Sequence, residues 1–227
     1  MIRLHVVAEG QTEETFVRRV LSPHLGHFDV STDVHCVTTS RHRGRPFRGG
    51  LVSYAKAKRD IELWMKQDQS QDARFTTFFD LYRLPNDFPD FTEAGHRSDP
   101  HDRAEKLERA MAKDLGDPRF VPYLQVHEFE ALVLVEPREL RVDFIEEERA
   151  IERLESLCSQ FESPELIDDE QPPSKRIIQV LPGYEGRKVA VGPLVTERIG
   201  LPKLRESCPH FDQWLTRLER LPEIGRQ

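Results

Sequence analysis

The stretch IRLHVVAEGQTEE, residues 2–14, leaves few folds open to the chain. It predicts a buried β-strand of alternating and β-branched apolar residues, a tight Glu9-Gly10 turn, and a helix opening with Glu13 and Glu14. A carboxylate therefore stands where a strand ends. In an open α/β sheet, ligands bind at the carboxyl ends of the strands, because the loops there converge on a crevice flanked by helix N-termini. Acidic residues at that edge suit a metal ion better than a phosphate.

The same design recurs downstream. A short second strand is predicted over 34–38, and the run FTTFF at 75–79 predicts a buried strand ending in Asp80. If the first strand and this one are neighbours in a parallel sheet, about 4.8 Å apart, Glu9 and Asp80 point into one crevice and share a divalent cation. The alternative for Asp80 is a cap on the turn into LYRLPNDFPDF, where Pro85 and Pro89 rule out a continuous helix. Residues 120–126 predict a further strand, followed by His127-Glu128-Phe129-Glu130-Ala131 and a short apolar helix to Val135. Glu128 and Glu130 thus join the candidate ligands, although acids also favour a helix N-terminus through its macrodipole.

Helical periodicity fills the intervals. Thr12 is a plausible N-cap for a helix with Phe16, Val17, Val20 and Leu21 on its apolar face, ending near Ser22-Pro23. Residues 51–67 predict a second helix. Asp99-Pro100 caps a third, which runs to Leu115 and is stopped by Gly116. Residues 144–161 predict a charged amphipathic helix. The Pro- and acid-rich segment 163–173 then marks an internal boundary, dividing the chain into an α/β domain over 1–162 and a helical extension over 163–227 packed on it. Short helices are expected there over 174–181, 193–199, 202–207 and 209–221, with Lys175, Arg176 and Lys188 either solvated or facing a substrate.

Residues 40–50, SRHRGRPFRGG, form a basic loop by their glycines and proline. Its arginines, Arg41, Arg43, Arg45 and Arg48, suit nucleic-acid phosphates while Phe47 stacks on a base; a solvated charged loop is the alternative. The formal net charge of −7 excludes a protein whose whole surface coats nucleic acid but leaves room for this local patch. No apolar run approaches the ~20 residues of a membrane span, and no secretory signal pattern opens the sequence, so a cytoplasmic location is expected. The three cysteines, Cys36, Cys158 and Cys208, show no zinc spacing.

Five segments carry a resemblance: EGQTEE at 9–14, FFDLYRLPNDFP at 78–89, HEFEALVL at 127–134, PSKR at 173–176 and GLPKLRESCPHFDQWLTRLE at 200–219. Together they resemble a bacterial family of Toprim-like proteins of unknown function, over nearly the whole chain. The resemblance implies a Toprim-type α/β fold, the magnesium-binding module of topoisomerases, primases and nucleases of the overcoming-lysogenization-defect class. It also implies a gene neighbour encoding an AAA-type ATPase and a role in phage defence. Glu9 matches the glutamate after the first Toprim strand, Glu13 the second acid of the EGxTE form, and Asp80 the first aspartate of the DxD motif. Tyr82 stands in place of the second aspartate, so Asp87, Glu128 or Glu130 would have to supply that ligand.

The leading expectation is a magnesium- or manganese-dependent nuclease acting on DNA or RNA. Glu9, Asp80 and Glu13 carry the chemistry, and Glu9, Asp80, Glu128 and Glu130 supply metal ligands. Arg41, Arg43, Arg45, Arg48, Lys175 and Arg176 are its nucleic-acid contacts. The alternative, which Tyr82 favours, is a catalytically degenerate adaptor or regulatory subunit of an ATPase complex. A phosphotransferase is disfavoured, since neither GxxxxGK[ST] nor GxSxG is present.

Overall fold

The computed structural model describes residues 1–37, 40–42, 45–47, 51–96, 99–167 and 171–224, with backbone only for 40–42, 45–47 and 224. Its strands are β1 (Ile2–Ala8), β2 (Val30–Cys36), β3 (Ser40–His42), β4 (Arg45–Phe47), β5 (Ala73–Asp80), β6 (Phe120–Val121) and β7 (Leu124–Gln125). Helices α1 (Gln11–Phe16) and α2 (Ser22–Gly26) follow β1, joined by a π-helical turn, Val17–Leu21. Then come α3 (Tyr54–Gln67), α4 (Phe91–Ala94), α5 (Pro100–Leu115), α6 (Glu130–Val133) and α7 (Glu148–Cys158). The C-terminal part holds α8 (Pro173–Val180), α9 (Lys188–Ile199), α10 (Leu201–Ser207), α11 (Pro209–Glu219) and α12 (Leu221–Ile224).

Five strands make one open sheet, ordered β2-β1-β5-β6, with β7 following β6 along the outer edge of β5. Every pairing in it is parallel. Period-two alternation sends β1 side chains to two cores. Ile2, Leu4, Val6 and Ala8 enter one with Phe78 of β5, while Val7, Phe75 and Phe79 enter the other. Helices α3 and α5 cover the second face through Tyr54, Ala57, Ile61, Leu107 and Met111. The first face is covered from both ends of the chain, by Phe16 and Leu21 near the start and by Ile177, Val195, Phe211 and Trp214 near the end. Phe78 joins them, with the rings of Phe16, Phe129, Tyr123 and Trp214 at 5.5–6.1 Å.

Several local expectations shift for identifiable reasons. The first helix is capped at Gly10 rather than Thr12, and the Glu13 carboxylate reaches back to accept the Gly10 N–H at 2.8 Å. It continues past Pro23, the π-helical turn having re-set the hydrogen-bond register just before the missing amide. The expected strand over 120–126 breaks into β6 and β7 at Pro122-Tyr123. There the Thr77 hydroxyl replaces the ladder, donating to the Tyr123 carbonyl at 2.8 Å and accepting its N–H at 3.0 Å. Within the basic segment expected as a loop, β3 and β4 pair antiparallel, Ser40 with Phe47 and His42 with Arg45. The amphipathic helix expected over 144–161 is shorter, α7 being preceded by a 3-10 turn, Pro137–Val142. Helix α9 begins at Lys188, with Pro193 inside it. That proline leaves the carbonyl of exposed Val189 without a helical donor, a tolerable loss at a solvated turn. No helix among the described residues is long and apolar enough to cross a membrane.

Helix α9 lies close to the sheet's loops because Gly192 permits it. A Cβ there would stand 3.2 Å from Phe129 Cε1, 3.3 Å from the Tyr184 hydroxyl and 3.5 Å from Thr12 Cγ2. Gly192→Leu is expected to cost about 1–3 kcal/mol or more by overpacking, despite the gain in helix propensity. Gly186→Leu, where a Cβ meets nothing within 4 Å, should stay within about 0.5 kcal/mol of wild type. Urea denaturation of the two variants measures both.

Candidate functional site

The topology selects one crevice. From β1 the chain crosses to β2 on one side, and from β5 it crosses to β6 on the other, so the order reverses between β1 and β5. Open α/β sheets bind ligands outside the carboxyl ends of strands at such a switch point. The last residues paired between β1 and β5 are Ala8 and Phe78; Glu9 follows one residue beyond and Asp80 two, at the end of β5. A cleft of about 520 Å³ opens above them, lined by Glu9, Glu13, Asp80 and Glu128 with Tyr82, Arg83 and Lys188.

Backbone amides aim these acids. Glu9 Oε2 accepts the N–H of Asp80 at 2.9 Å, and its Oε1 that of Leu51 at 3.2 Å. Asp80 Oδ1 accepts the N–H of Phe129 at 2.9 Å, drawing the segment after β7 onto the end of β5. Glu128 Oε2 accepts the Ser174 N–H at 2.9 Å, in the first turn of α8. Glu130 is buried and outside the cleft lining, beside Tyr184, whose hydroxyl approaches it without completing a hydrogen bond. Five carboxylates from three separate segments thus share one region of low dielectric.

The proton affinities of Glu9, Glu13, Asp80 and Glu130 are all raised. Burial is the leading cause for Glu13, pushed up to about 8, with the Glu9 charge adding to it. Burial likewise leads at Asp80, held well above the usual carboxylate range, followed by repulsion from Glu9, Glu13, Glu130 and Glu128. Glu130 is pushed up to about 7 by burial, against the opposing pull of Lys188. Glu9 is raised by burial, with the amides of Asp80 and Leu51 partly offsetting it.

Not every predicted residue arrives here. Asp87 instead caps α3, accepting from Tyr54 N–H at 2.9 Å, Ala55 N–H at 3.1 Å and the Ser53 hydroxyl at 2.8 Å. Arg176 is buried, donating to the Gln171 carbonyl at 2.6 Å with its guanidinium 5.4 Å from the Phe161 ring; its neighbour Lys175 is exposed. Arg43 and Arg48, and the side chains of Arg41 and Arg45, lie outside the described residues. Lys188 does reach the cleft, as the first residue of α9. Arg83 was not foreseen, although its place three residues past Asp80 at a strand's carboxyl end was a usable signal.

Carboxylate oxygens are the donors that magnesium and manganese prefer, so the residue types fit such an ion. Among the described residues, no three His, Cys, Asp or Glu side chains already stand gathered as an ion cage. The electrostatics carry a testable consequence. Glu13 and Glu130 bind protons more tightly in the folded chain, near 8 and 7, than at their usual 4.5, so folding takes up protons between those values. Stability conferred by protonation is therefore present at acidic pH and lost as pH rises toward about 8. In a chelator, the thermal midpoint should fall between about pH 5 and about pH 8.5, by roughly 2–4 °C per kcal/mol. Millimolar manganese should recover more of it at the higher pH, as scanning calorimetry would show; a flat profile would contradict the shared burial of these acids.

No curated protein and no solved structure matches the chain. A family match does exist, over residues 8–219, from the end of β1 through α11, and it takes in every acid of the cleft. The chain belongs to the family described as Domain of unknown function (DUF4276).

Proposed function

We propose that the protein is a magnesium- or manganese-dependent phosphodiesterase cutting DNA or RNA. The observation that carries this reading is the convergence of Glu9, Glu13, Asp80 and Glu128 on one cleft at the sheet's switch point, with cationic Lys188 and Arg83 beside them. The Toprim resemblance of the EGQTEE and FFDLY segments supports it, as does the all-oxygen donor set. That resemblance also makes an AAA-type ATPase the candidate partner and phage defence the candidate role.

Glu9 and Asp80 would hold the ion, with Glu13 and Glu128 completing its surroundings directly or through water. Such an ion, when bound, lowers the pKa of water and stabilises charge on phosphate. Glu9, next to the ion, is also the candidate general base that takes the proton from the attacking water. Lys188 and Arg83 bring positive charge to the phosphate oxygens from the cleft wall. Glu130 stays behind the floor with Tyr184, a positioning role.

Calorimetric titration with manganese tests this without a substrate. Glu9→Gln and Asp80→Asn should abolish saturable binding and reduce phosphodiester cleavage by at least about 100-fold, the scale of losing an electrostatic or acid–base contribution. Glu14→Gln should retain both, because Glu14 faces away from the cleft, pairing with Arg18 at 3.0 Å and accepting from the Cys36 thiol at 3.2 Å. Lys188→Ala should slow cleavage while leaving manganese binding intact. Absence of saturable binding in the wild type, together with a stable complex with an ATPase, would favour instead the adaptor reading that Tyr82 in the DxD position suggests.

A further inference from the structure

Beyond Asp80 the chain turns through Leu81, Tyr82 and Arg83 at the lip of the cleft. Leu81 is buried, which pins the turn to the core, while Tyr82 is half-buried and Arg83 exposed. Arg83 has φ of 61°, the left-handed region that residues with a side chain rarely adopt. His127 has φ of 62°, and its carbonyl accepts the Tyr82 N–H at 2.8 Å. Two of the four left-handed non-glycine residues among those described therefore flank one hydrogen bond beside Asp80, Arg83 following its donor and His127 supplying its acceptor. A glycine at position 83 would relieve that conformation, yet an exposed arginine occupies it.

What the conformation achieves is visible in the side chains. The Arg83 guanidinium carbon lies 5.2 Å from the centre of the Tyr82 ring, and both residues line the cleft whose floor holds Glu9 and Asp80. Exposed Val52 and Val189 also line it. An aromatic ring backed by a guanidinium, next to a floor suited to a phosphate-bridging cation, matches what an unpaired nucleotide needs: a π-face for its base and positive charge for its phosphate. Bases within a duplex have both faces covered by their neighbours and cannot use such a ring.

We infer that Tyr82 and Arg83 form a clamp for one unpaired nucleotide, the ring stacking on its base and the guanidinium holding its phosphate, so that the cleft takes single-stranded nucleic acid over duplex. This rests on the phosphodiesterase reading and deepens it by naming the substrate's form. It also gives Tyr82 a role in the place where an acid would otherwise stand.

The test is equilibrium binding, by fluorescence anisotropy, of short fluorescein-labelled oligodeoxythymidylate, oligouridylate and a duplex of equal length. Calcium replaces magnesium, since its looser coordination supports binding without demanding octahedral geometry. The wild type should hold a single strand more tightly than the duplex. Tyr82→Phe should keep that preference, and Tyr82→Leu should weaken the single strand by about fivefold to about 100-fold with the duplex unchanged. Arg83→Gly should weaken it too while melting at the same temperature as wild type or higher, so that misfolding does not explain the loss. Single-strand affinity unchanged in both Tyr82→Leu and Arg83→Gly would overturn the clamp and leave the phosphodiesterase reading standing. Failure of the wild type to bind any of the three nucleic acids would overturn both.

Discussion

Glu9 Oε2 receives the backbone N–H of Asp80 at 2.9 Å, across the gap where β1 and β5 stop pairing. Much of the rest follows from this bond. It holds a carboxylate at the one edge of the sheet where the loops diverge, and places a second, Asp80, next to it in a half-buried setting. Burial first, and then repulsion from Glu9, raise the proton affinity of both Glu13 and Asp80. The cluster is tolerable because backbone amides satisfy it from several directions: Gly10, Leu51, Asp80, Phe129 and Ser174 each donate to one of its oxygens. Acids held this way have an unmet need for positive charge, which Lys188 meets only in part.

The C-terminal helices are part of this arrangement. Trp214 on α11 donates to the Thr76 hydroxyl at 2.9 Å and stacks on Tyr123 at 4.1 Å, fixing the helical layer to the central strand. A second buried polar group holds the N-terminus of α11. Glu165 accepts the amides of His210 and Phe211 at 3.0 and 3.1 Å, and His101 at 2.9 Å, while Glu108 pairs with His210 at 2.8 Å. Hydrogen bonds to ionised groups are worth roughly 1.5–3 kcal/mol each, so this network ranks with a large buried side chain as an anchor. It differs from the cleft in composition. Here acids face histidines and amides and are satisfied; there, acids face acids.

Much of the fold was legible because its signals are local. Asp99 does cap α5, accepting from His101 and Asp102 amides at 2.8 and 3.0 Å, and Gly116, at φ of 64°, does end it. Acids at strand ends likewise pointed to Glu9, Asp80 and Glu128, which line one cleft. Where expectation and structure part, a long-range contact intervened. Pro122 broke a strand that Thr77, far away in sequence, then bridged. Asp87 was drawn from the candidate ligand set to the start of α3, where three donors without other partners in the helix awaited it.

Periodicity, caps and turns act over a few residues, so the alternation of β1 and β5, the placement of acids just past them and the parallel α/β class were legible in the order of amino acids. That β1 and β5 are neighbours, that Lys188 and Glu9 line the same cleft, and that Arg83 turns back over Tyr82 are matters of tertiary packing. These depend on how strands order themselves and how closely helices approach, as Gly192 allows for α9. Such choices are made by burial and by the sharing of backbone donors among distant segments, and no short window of residues encodes them.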